Sequence, residues 1–495
     1  MSTTETAVPN RSDEVALPPG RLYIDGEWRD SSGGDRRDVV DPATGQVVST
    51  VPEGTVDDID LAVRAARRAF DDGPWRRTSP RERGAILTRA AQLIQEHAEE
   101  LARLESLDSG KPIAFARMID VGTTAEHFSY YGGLAGAIEG ATRGIRGPGL
   151  AYTRREPLGV VAAITPFNFP LILSTSKIAP ALAAGNTVVH KPAEDTPLTA
   201  LRIAELLTEA GLPAGAMNVV TGSGAVAGDA LVRHTGVDRI AFTGSTRVGS
   251  AIAAAAAINV TPVTMELGGK SANIIFEDAN LDEAIQAAVS GFVFNTGQFC
   301  MGGTRLLVHR SVYDQVVAAV AAGAQHVPVG DPLEEGTVVG PMAGERHLQN
   351  VERFLALADG NGGGRIITGG QRIERGGGYF IAPALVVDVA QDSRLVQEEI
   401  FGPVLTVQAF DTEDEAVALA NGTRYGLAAG LHTRDIARAH RVAAQLQAGL
   451  IWVNTYGILD VSLPFGGYKA SGYGREYGPE GLDEYLQTKS VYVPF

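Results

Sequence analysis

The chain has 495 residues, 44% of them hydrophobic, with 58 acidic against 42 basic residues and a net charge of −16. That length suffices for two or three domains with cores of their own, and the acidic excess argues against nonspecific binding to nucleic acid or to an anionic membrane. No apolar run approaches the roughly 18–20 residues of a membrane span, and the single cysteine, Cys300, excludes an internal disulfide, so a soluble protein in a reducing, cytoplasmic setting is expected.

Residues 1–20 are polar with scattered acids (Glu5, Asp13, Glu14) and lack the basic start and apolar core of a signal peptide, which predicts a mobile tail. Leu61 to Phe70 and Arg81 to Leu107 have helical periodicity, the latter through Ile86, Ala90, Leu93 and Ile94, and need do no more than pack. Arg143 to Glu156 is β-prone, as is the distant Ser490 to Phe495, and both are expected to be edge strands reaching toward another subunit. From Gly159 to Pro262, β-rich runs (Val160 to Thr165, Thr187 to Lys191, Met217 to Thr221, Arg239 to Thr243) alternate with helical ones (Thr175 to Ala184, Leu198 to Ala210, Val226 to His234, Val248 to Ala257). This alternation predicts an α/β unit with a parallel sheet and crossover helices. Two of its turns, Gly222-Ser223-Gly224 with Gly228 and Gly244-Ser245-Thr246 with Gly249, place glycine where helix N–H groups can meet phosphate, although neither is the Gly-x-Gly-x-x-Gly fingerprint. A second alternating block runs from Ser271 to about Lys469, with turns or a hairpin expected around Arg365 to Thr368 in the glycine-rich stretch Asp359 to Gly378.

Cys300 lies in Gly297-Gln298-Phe299-Cys300-Met301-Gly302-Gly303, where small residues leave room for a substrate to reach Sγ. A free cysteine is most often just a small buried hydrophobe, so its surroundings must decide. A thiolate can add to an aldehyde; the tetrahedral adduct then expels hydride, and water can cleave the thioester that remains. Such a cycle needs oxyanion donors, a nicotinamide acceptor and a base for water. Glu266, at the junction of the two blocks, is the candidate base; its plainer reading is an ion pair with Lys270. Asn168, between two prolines after the first strand of the parallel block, is the candidate oxyanion donor together with the Cys300 N–H; its plainer reading is a turn residue. Lys191 suits ribose hydroxyls or a phosphate, and Glu194 would accept from both adenosine ribose hydroxyls and repel a 2′-phosphate, favouring NAD over NADP. Glu399 suits the nicotinamide ribose and Phe401 the ring site, while a solvated surface is the plainer reading of all these charges.

Seven motifs stand in order: Pro166-Phe167-Asn168-Phe169-Pro170, Lys191-Pro192-Ala193-Glu194, Phe242-Thr243-Gly244-Ser245, Glu266-Leu267-Gly268-Gly269-Lys270, Gly297-Gln298-Phe299-Cys300, Glu399-Ile400-Phe401-Gly402-Pro403 and Pro464 to Gly472. With them the chain resembles the aldehyde dehydrogenase superfamily over nearly its whole length. The resemblance implies an α/β fold with two Rossmann-like domains, a cofactor domain (21–137 and 159–263) and a catalytic domain (264–469), plus a small β oligomerisation domain (138–158 and 470–495) that builds a homodimer or homotetramer. It implies Cys300 as nucleophile, Glu266 as base and Asn168 as oxyanion donor, with no metal. Cofactor contacts carry over to Thr165, Pro166, Phe167, Lys191, Glu194, Gly244, Ser245, Leu267, Glu399 and Phe401. The acyl wall carries over to Phe169, Leu173, Ser176, Phe294, Phe299, Met301, Ile458, Leu459 and Phe465.

Departures bear on the substrate. Many relatives have tryptophan at the position of Phe167 and small or thiol residues at those of Phe299 and Met301, and Ser176 replaces what is often a bulky aromatic, suggesting added room. The wall carries no arginine or lysine, which argues against a second carboxylate such as that of succinic semialdehyde; Asp460 is the one acid close in sequence. The expected reaction is oxidation of an apolar, aliphatic or aromatic aldehyde to its acid with NAD(P). An aminoaldehyde or semialdehyde is the alternative, and a CoA-acylating enzyme a further one that Glu266 opposes, since such relatives typically lack that base. A binding protein on the same scaffold would be expected to lack Cys300, Glu266 or Asn168, and a simple esterase would leave the nicotinamide contacts unexplained.

Overall fold

A computed structural model describes residues 15–358 and 363–495. Most of the expected tail, 1–14, and residues 359–362 of the glycine-rich stretch lie outside the described residues. Strands Val160–Ile164, Thr187–Lys191 and Arg239–Thr243 are buried at every position, as parallel strands covered on both faces must be. Alternate side chains part accordingly. Val161, Ala163 and Val188 join a core with helices Pro80–Glu96, Ala98–Ser109, Pro170–Ala184 and Leu198–Glu209. Val160, Ala162, Ile164 and Val189 join another with helices Val56–Asp71 and Thr246–Ala256.

The eight-stranded sheet runs Glu27–Arg29, Leu22–Ile24, Met217–Val219, Thr187–Lys191, Val160–Ile164, Arg239–Thr243, Val263–Glu266, Gly472–Tyr473. The chain winds outward from Val160–Ile164 through the strands that begin at Thr187 and Met217. It then returns to the other side of its starting strand at Arg239–Thr243. Winding therefore reverses between these two neighbours, where an open α/β sheet leaves a crevice at its carboxyl edge. Thr165 to Asn168 and Gly244-Ser245 emerge there. The second sheet has seven strands, Arg365–Thr368, Ala384–Val387, Val404–Phe410, Arg305–His309, Ala272–Ile275, Ala428–His432 and Leu450–Val453, and carries the Cys300 and Glu399 loops.

Three features differ from the sequence reading. The single helix expected over Arg81 to Leu107 is two, Pro80–Glu96 and Ala98–Ser109, because His97 leaves helical geometry (φ −103°, ψ 21°). The first of them starts with a reciprocal Ser79–Glu82 capping box, which satisfies otherwise orphaned N–H groups. Helix Gly122–Ala135, which packs chiefly on Pro80–Glu96, was not anticipated. Lastly, Gly149–Pro157 and Leu486–Pro494, far apart in sequence, pair with each other antiparallel along nine positions, with Thr142–Arg143 as third strand. The glycine-rich stretch does fold back: Arg365–Thr368 pairs with Ala384–Val387 and Arg372–Ile373 with Phe380–Ile381, both antiparallel. Among the described residues no helix is long and apolar enough to cross a membrane.

Candidate active site

The backbone leading to Cys300 takes a conformation that side-chain-bearing residues seldom adopt. Helix Leu281–Val293 runs into the turn Phe294–Gly297, where Asn295, Thr296 and Gly297 all have positive φ (50°, 56° and 67°). For the two non-glycine residues this costs about 1–2 kcal/mol each, so the turn persists only because its surroundings hold it. Asn295 Nδ2 donates to the carbonyls of Asn168 (2.8 Å) and Gln298 (3.1 Å), Thr296 Oγ1 donates to the Gly340 carbonyl (3.1 Å), and the Ala343 N–H donates to Gln298 Oε1 (3.0 Å). Only glycine fits at 297, where a Cβ would lie 2.2 Å from the Gly402 carbonyl carbon. Past the cysteine, the Tyr456 hydroxyl donates to the Met301 carbonyl (2.7 Å), and its ring lies so close to Gly303 and Gly430 that a Cβ there would approach it to 2.9 and 2.6 Å. Tyr456 was missed in the sequence because nothing in a lone tyrosine 156 positions beyond the cysteine marks it.

Cys300 borders a cavity of about 280 Å³ lined by Pro166, Phe167, Asn168, Thr243, Gly244, Ser245, Leu267, Gly268, His347, Asn350, Glu399 and Phe401. Most of the expected cofactor contacts therefore meet at one place. Phe167 stacks on His347 (4.0 Å between centroids) and meets Phe401 edge-on (5.7 Å). His347 and Asn350 belong to no motif; they enter from helix Glu345–Leu355, whose amphipathic pattern predicts packing alone. Asn168 Nδ2 donates to the Gln298 carbonyl (2.9 Å), next to the cysteine. Ser245 caps helix Thr246–Ala256 by accepting from the Val248 N–H (3.3 Å).

Lys191 and Glu194 stand apart from this cavity, beside a mostly apolar slot of about 250 Å³ whose lining includes Ile164, Gly224, Gly228, Val248 and Ile252. A Cβ at Gly228 would touch the Lys191 stem (3.5 Å), and Glu194 Oε1 accepts from the Gly224 N–H (2.6 Å). Glu53 Oε2 likewise accepts from the Ser223 N–H (2.9 Å). Carboxylates thus occupy the first of the two glycine turns considered for phosphate, and Gly244-Ser245 is the one that faces the cavity. Burial lowers the Lys191 ammonium to about 8, with Glu194 opposing. Thr165 is buried with its hydroxyl bonded to His190 Nε2 (3.0 Å), and so contributes from behind the wall.

Burial pushes the Cys300 thiol well above its usual range, and the Glu399 and Glu266 carboxylates add to the shift. Glu266, ending strand Val263–Glu266, is buried, and neither carboxylate oxygen has a hydrogen-bond partner among the described residues. Burial first, then the charge of Glu476, holds its carboxyl well above the carboxylate range, with Lys177 and Arg475 opposing. Lys270 is not its ion-pair partner. That ammonium is buried with no partner among the described residues, is lowered by burial to about 7, and feels Glu399 instead. Near Glu266 lies a buried pair the sequence could not bring together: Lys177 bonds Glu476, 299 positions away, and donates to Thr243 Oγ1 (2.7 Å).

Six of the expected acyl-wall residues, Phe169, Leu173, Phe294, Phe299, Met301 and Phe465, pack with Cys300 in one apolar cluster that also takes in Ile172, Trp452 and Tyr477. Three do not join it. Ser176, thought to leave room, is buried with its hydroxyl donating to Glu476 Oε2 (2.9 Å). Ile458 and Leu459 are exposed on a loop whose Ile458 carbonyl accepts from Trp452 Nε1 (2.8 Å). Asp460 turns to its own loop, accepting from the Ser462 N–H and hydroxyl (2.8 and 2.5 Å), so no acid enters the cluster from there.

A model of the aldehyde dehydrogenase family matches residues 28–491. Aldehyde dehydrogenase 1 of Tanacetum cinerariifolium is 46% identical over 475 residues, 96% of this chain and 95% of that protein. Phenylacetaldehyde dehydrogenase of Pseudomonas fluorescens is 44% identical over 486 residues, 96% of each. The solved structure of betaine aldehyde dehydrogenase from Staphylococcus aureus in complex with NAD+ matches with a TM-score of 0.96 at 40% identity, over 98% of this chain and 97% of that one. The chain belongs to the aldehyde dehydrogenase family and is an oxidoreductase that oxidises an aldehyde.

Proposed function

Within that family we propose that this enzyme converts an uncharged aldehyde with an apolar, aliphatic or aromatic side chain to its carboxylic acid, using Cys300 as covalent carrier, Glu266 as base and NAD as acceptor. The observation that carries the reading is the position of Cys300, between a cavity that ends on Glu399 and Phe401 and a cluster of apolar, largely aromatic side chains.

The residues fit a dinucleotide. The apolar slot with Glu194 beside it suits an adenosine, the Gly244-Ser245 helix start suits a phosphate, and the Cys300 cavity suits a nicotinamide riboside, with Glu399 for its hydroxyls. Glu194 favours NAD over NADP because a carboxylate there repels a 2′-phosphate. When bound, the cofactor supplies the hydride acceptor.

The protein's own groups do the rest. Cys300 gives up its proton to solvent and Sγ adds to the carbonyl carbon, forming a tetrahedral adduct whose oxyanion takes hydrogen bonds from the Asn168 amide and the Cys300 N–H. Once the adduct has become a thioester, Glu266 draws a proton from water as the water attacks the acyl carbon; the C–S bond breaks to release the acid and a thiolate, and the proton held by Glu266 passes to Sγ to restore the thiol. The sheet built from Gly149–Pro157 and Leu486–Pro494, with Tyr492 and Val493 exposed, suits assembly into a homodimer or homotetramer.

Cys300→Ala should abolish NADH formation from any aldehyde, measured at 340 nm, and turnover retained in that variant would end the mechanism. A panel of aldehydes assayed separately with NAD and NADP sets the substrate reading: strong preference for a cationic aminoaldehyde, or for a semialdehyde, would replace the uncharged apolar one.

A further inference from the structure

Behind the apolar cluster lies a buried charge that the proposed chemistry does not use. Lys111 is fully buried, and its ammonium bonds Asp120 and, at 3.3 Å, Glu105, both buried as well. The backbone drives these groups inward. Helix Ala98–Ser109 ends on Gly110 in the left-handed region (φ 76°), where a Cβ would meet Pro341 and Pro42 at 2.7 and 2.8 Å. The segment Ala116–Val121 is a π-helical turn, a wider coil that carries an extra residue, and Asp120 comes from it. Burial raises both carboxyl groups while the Lys111 charge pulls them back down.

The ammonium lies over the ring of Phe169, 4.0 Å from its centroid. Phe169 in turn stacks with Phe294 (6.0 Å, 29° between planes) and meets Phe299 edge-on (5.9 Å), while Phe294 and Phe299 meet edge-on at 5.2 Å. Phe299 is bonded directly to Cys300. A desolvated cation on an aromatic face is a strong, directional contact, and among the described residues it is the only cation over the face of any of the three rings.

We infer that Lys111 is a specificity-determining positioning residue: clamped by Glu105 and Asp120, it fixes the ring of Phe169 so that Phe169, Phe294 and Phe299 present a rigid aromatic wall beside Cys300, selecting aldehydes that carry an aryl group. The inference rests on the reading of Phe169 as part of the acyl wall. A fixed ring array offers an aryl side chain preformed edge and face contacts, whereas a short alkyl chain gains little from its order.

The test is the ratio of kcat/KM for phenylacetaldehyde to that for propionaldehyde, measured with saturating NAD. Lys111→Met keeps length and apolar contact but removes the charge; the ratio should fall roughly tenfold, with the change in KM for the aryl substrate. Asp120→Asn, which only loosens the clamp, should move it the same way by less. In a Phe169→Leu background, Lys111→Met should move the ratio no further, because the ring through which it acts is gone. A shift of equal size in that background, or an unchanged ratio in both single variants, or a parallel loss for both substrates, overturns the inference. If the unsubstituted enzyme oxidises neither aldehyde, the reading of the site falls and this inference with it; if it oxidises both and the ratio stays fixed, the inference alone falls.

Discussion

Two glutamates flank Cys300, the buried Glu266 at the end of a strand of the first sheet and the half-buried Glu399 on a loop of the second, and they are held in opposite ways. Glu399, on the loop before strand Val404–Phe410, accepts from the Gly269 N–H at 2.9 Å, with the Lys270 ammonium near; burial brings its carboxyl to about 7. Glu266, at the end of Val263–Glu266, has no hydrogen-bond partner among the described residues and is held well above its usual range by burial and by Glu476. A carboxylate tied to a backbone N–H is fixed in place and suits holding a ligand's hydroxyls. One without such a bond can take a proton from water, and later give it up, without first breaking an interaction, and its raised affinity for the proton favours that uptake. The contrast matches the different duties proposed for the two residues, and it can be broken.

The largest effect should come from Glu266→Gln: steady-state turnover falls at least about a hundredfold while the first-turnover burst of NADH, followed by rapid mixing, persists. Equal loss of both phases would mean that the two glutamates do not divide the cycle. The same enzyme pair gives a pH test. With the Glu266 carboxyl raised, it is protonated and idle as a base at low pH, so deacylation should climb as pH rises through that raised value, and the climb should vanish in Glu266→Gln. A smaller effect, roughly tenfold in KM for NAD with a lesser change in kcat, is expected for Glu399→Gln; an unaltered KM would remove Glu399 from the cofactor site. The smallest should be Tyr456→Phe, which keeps the ring against Gly303 and Gly430 and removes only the bond to the Met301 carbonyl. Loss of one hydrogen bond of about 1 kcal/mol should slow alkylation of Cys300 by iodoacetamide, and the NADH burst, by about fivefold in parallel. Since Cys300 is the sole cysteine, the alkylation reports on that loop and nothing else.

The alternating strands and helices between Gly159 and Pro262 were legible because fully buried parallel strands are short apolar runs and their crossover helices follow at regular spacing; Thr187–Lys191 has the expected bounds. Boundaries were legible only where a local signal exists. His97 carries no glycine or proline to betray the break it makes, and Gly122–Ala135 lacks a clear apolar stripe because helices cover it on more than one side. The motifs named Cys300, Glu266 and Asn168 through the resemblance, since each sits in a short run of distinctive neighbours.

Pairings across long separations were another matter. Nothing local in Lys177, Glu476, Lys111 or Tyr456 distinguishes a catalytic surrounding from an ordinary core, and nothing in Ser176 tells that its hydroxyl is spent on Glu476. The sequence by itself determined most element types, the family resemblance and the candidate nucleophile, because propensity, periodicity and short motifs are local properties of the chain. Only the tertiary structure decided which glutamate stands free and which is tied, that Lys270 serves the Glu399 side, and that a buried ammonium backs Phe169. Burial and electrostatic coupling depend on distance in space, and the packing of two sheets sets those distances.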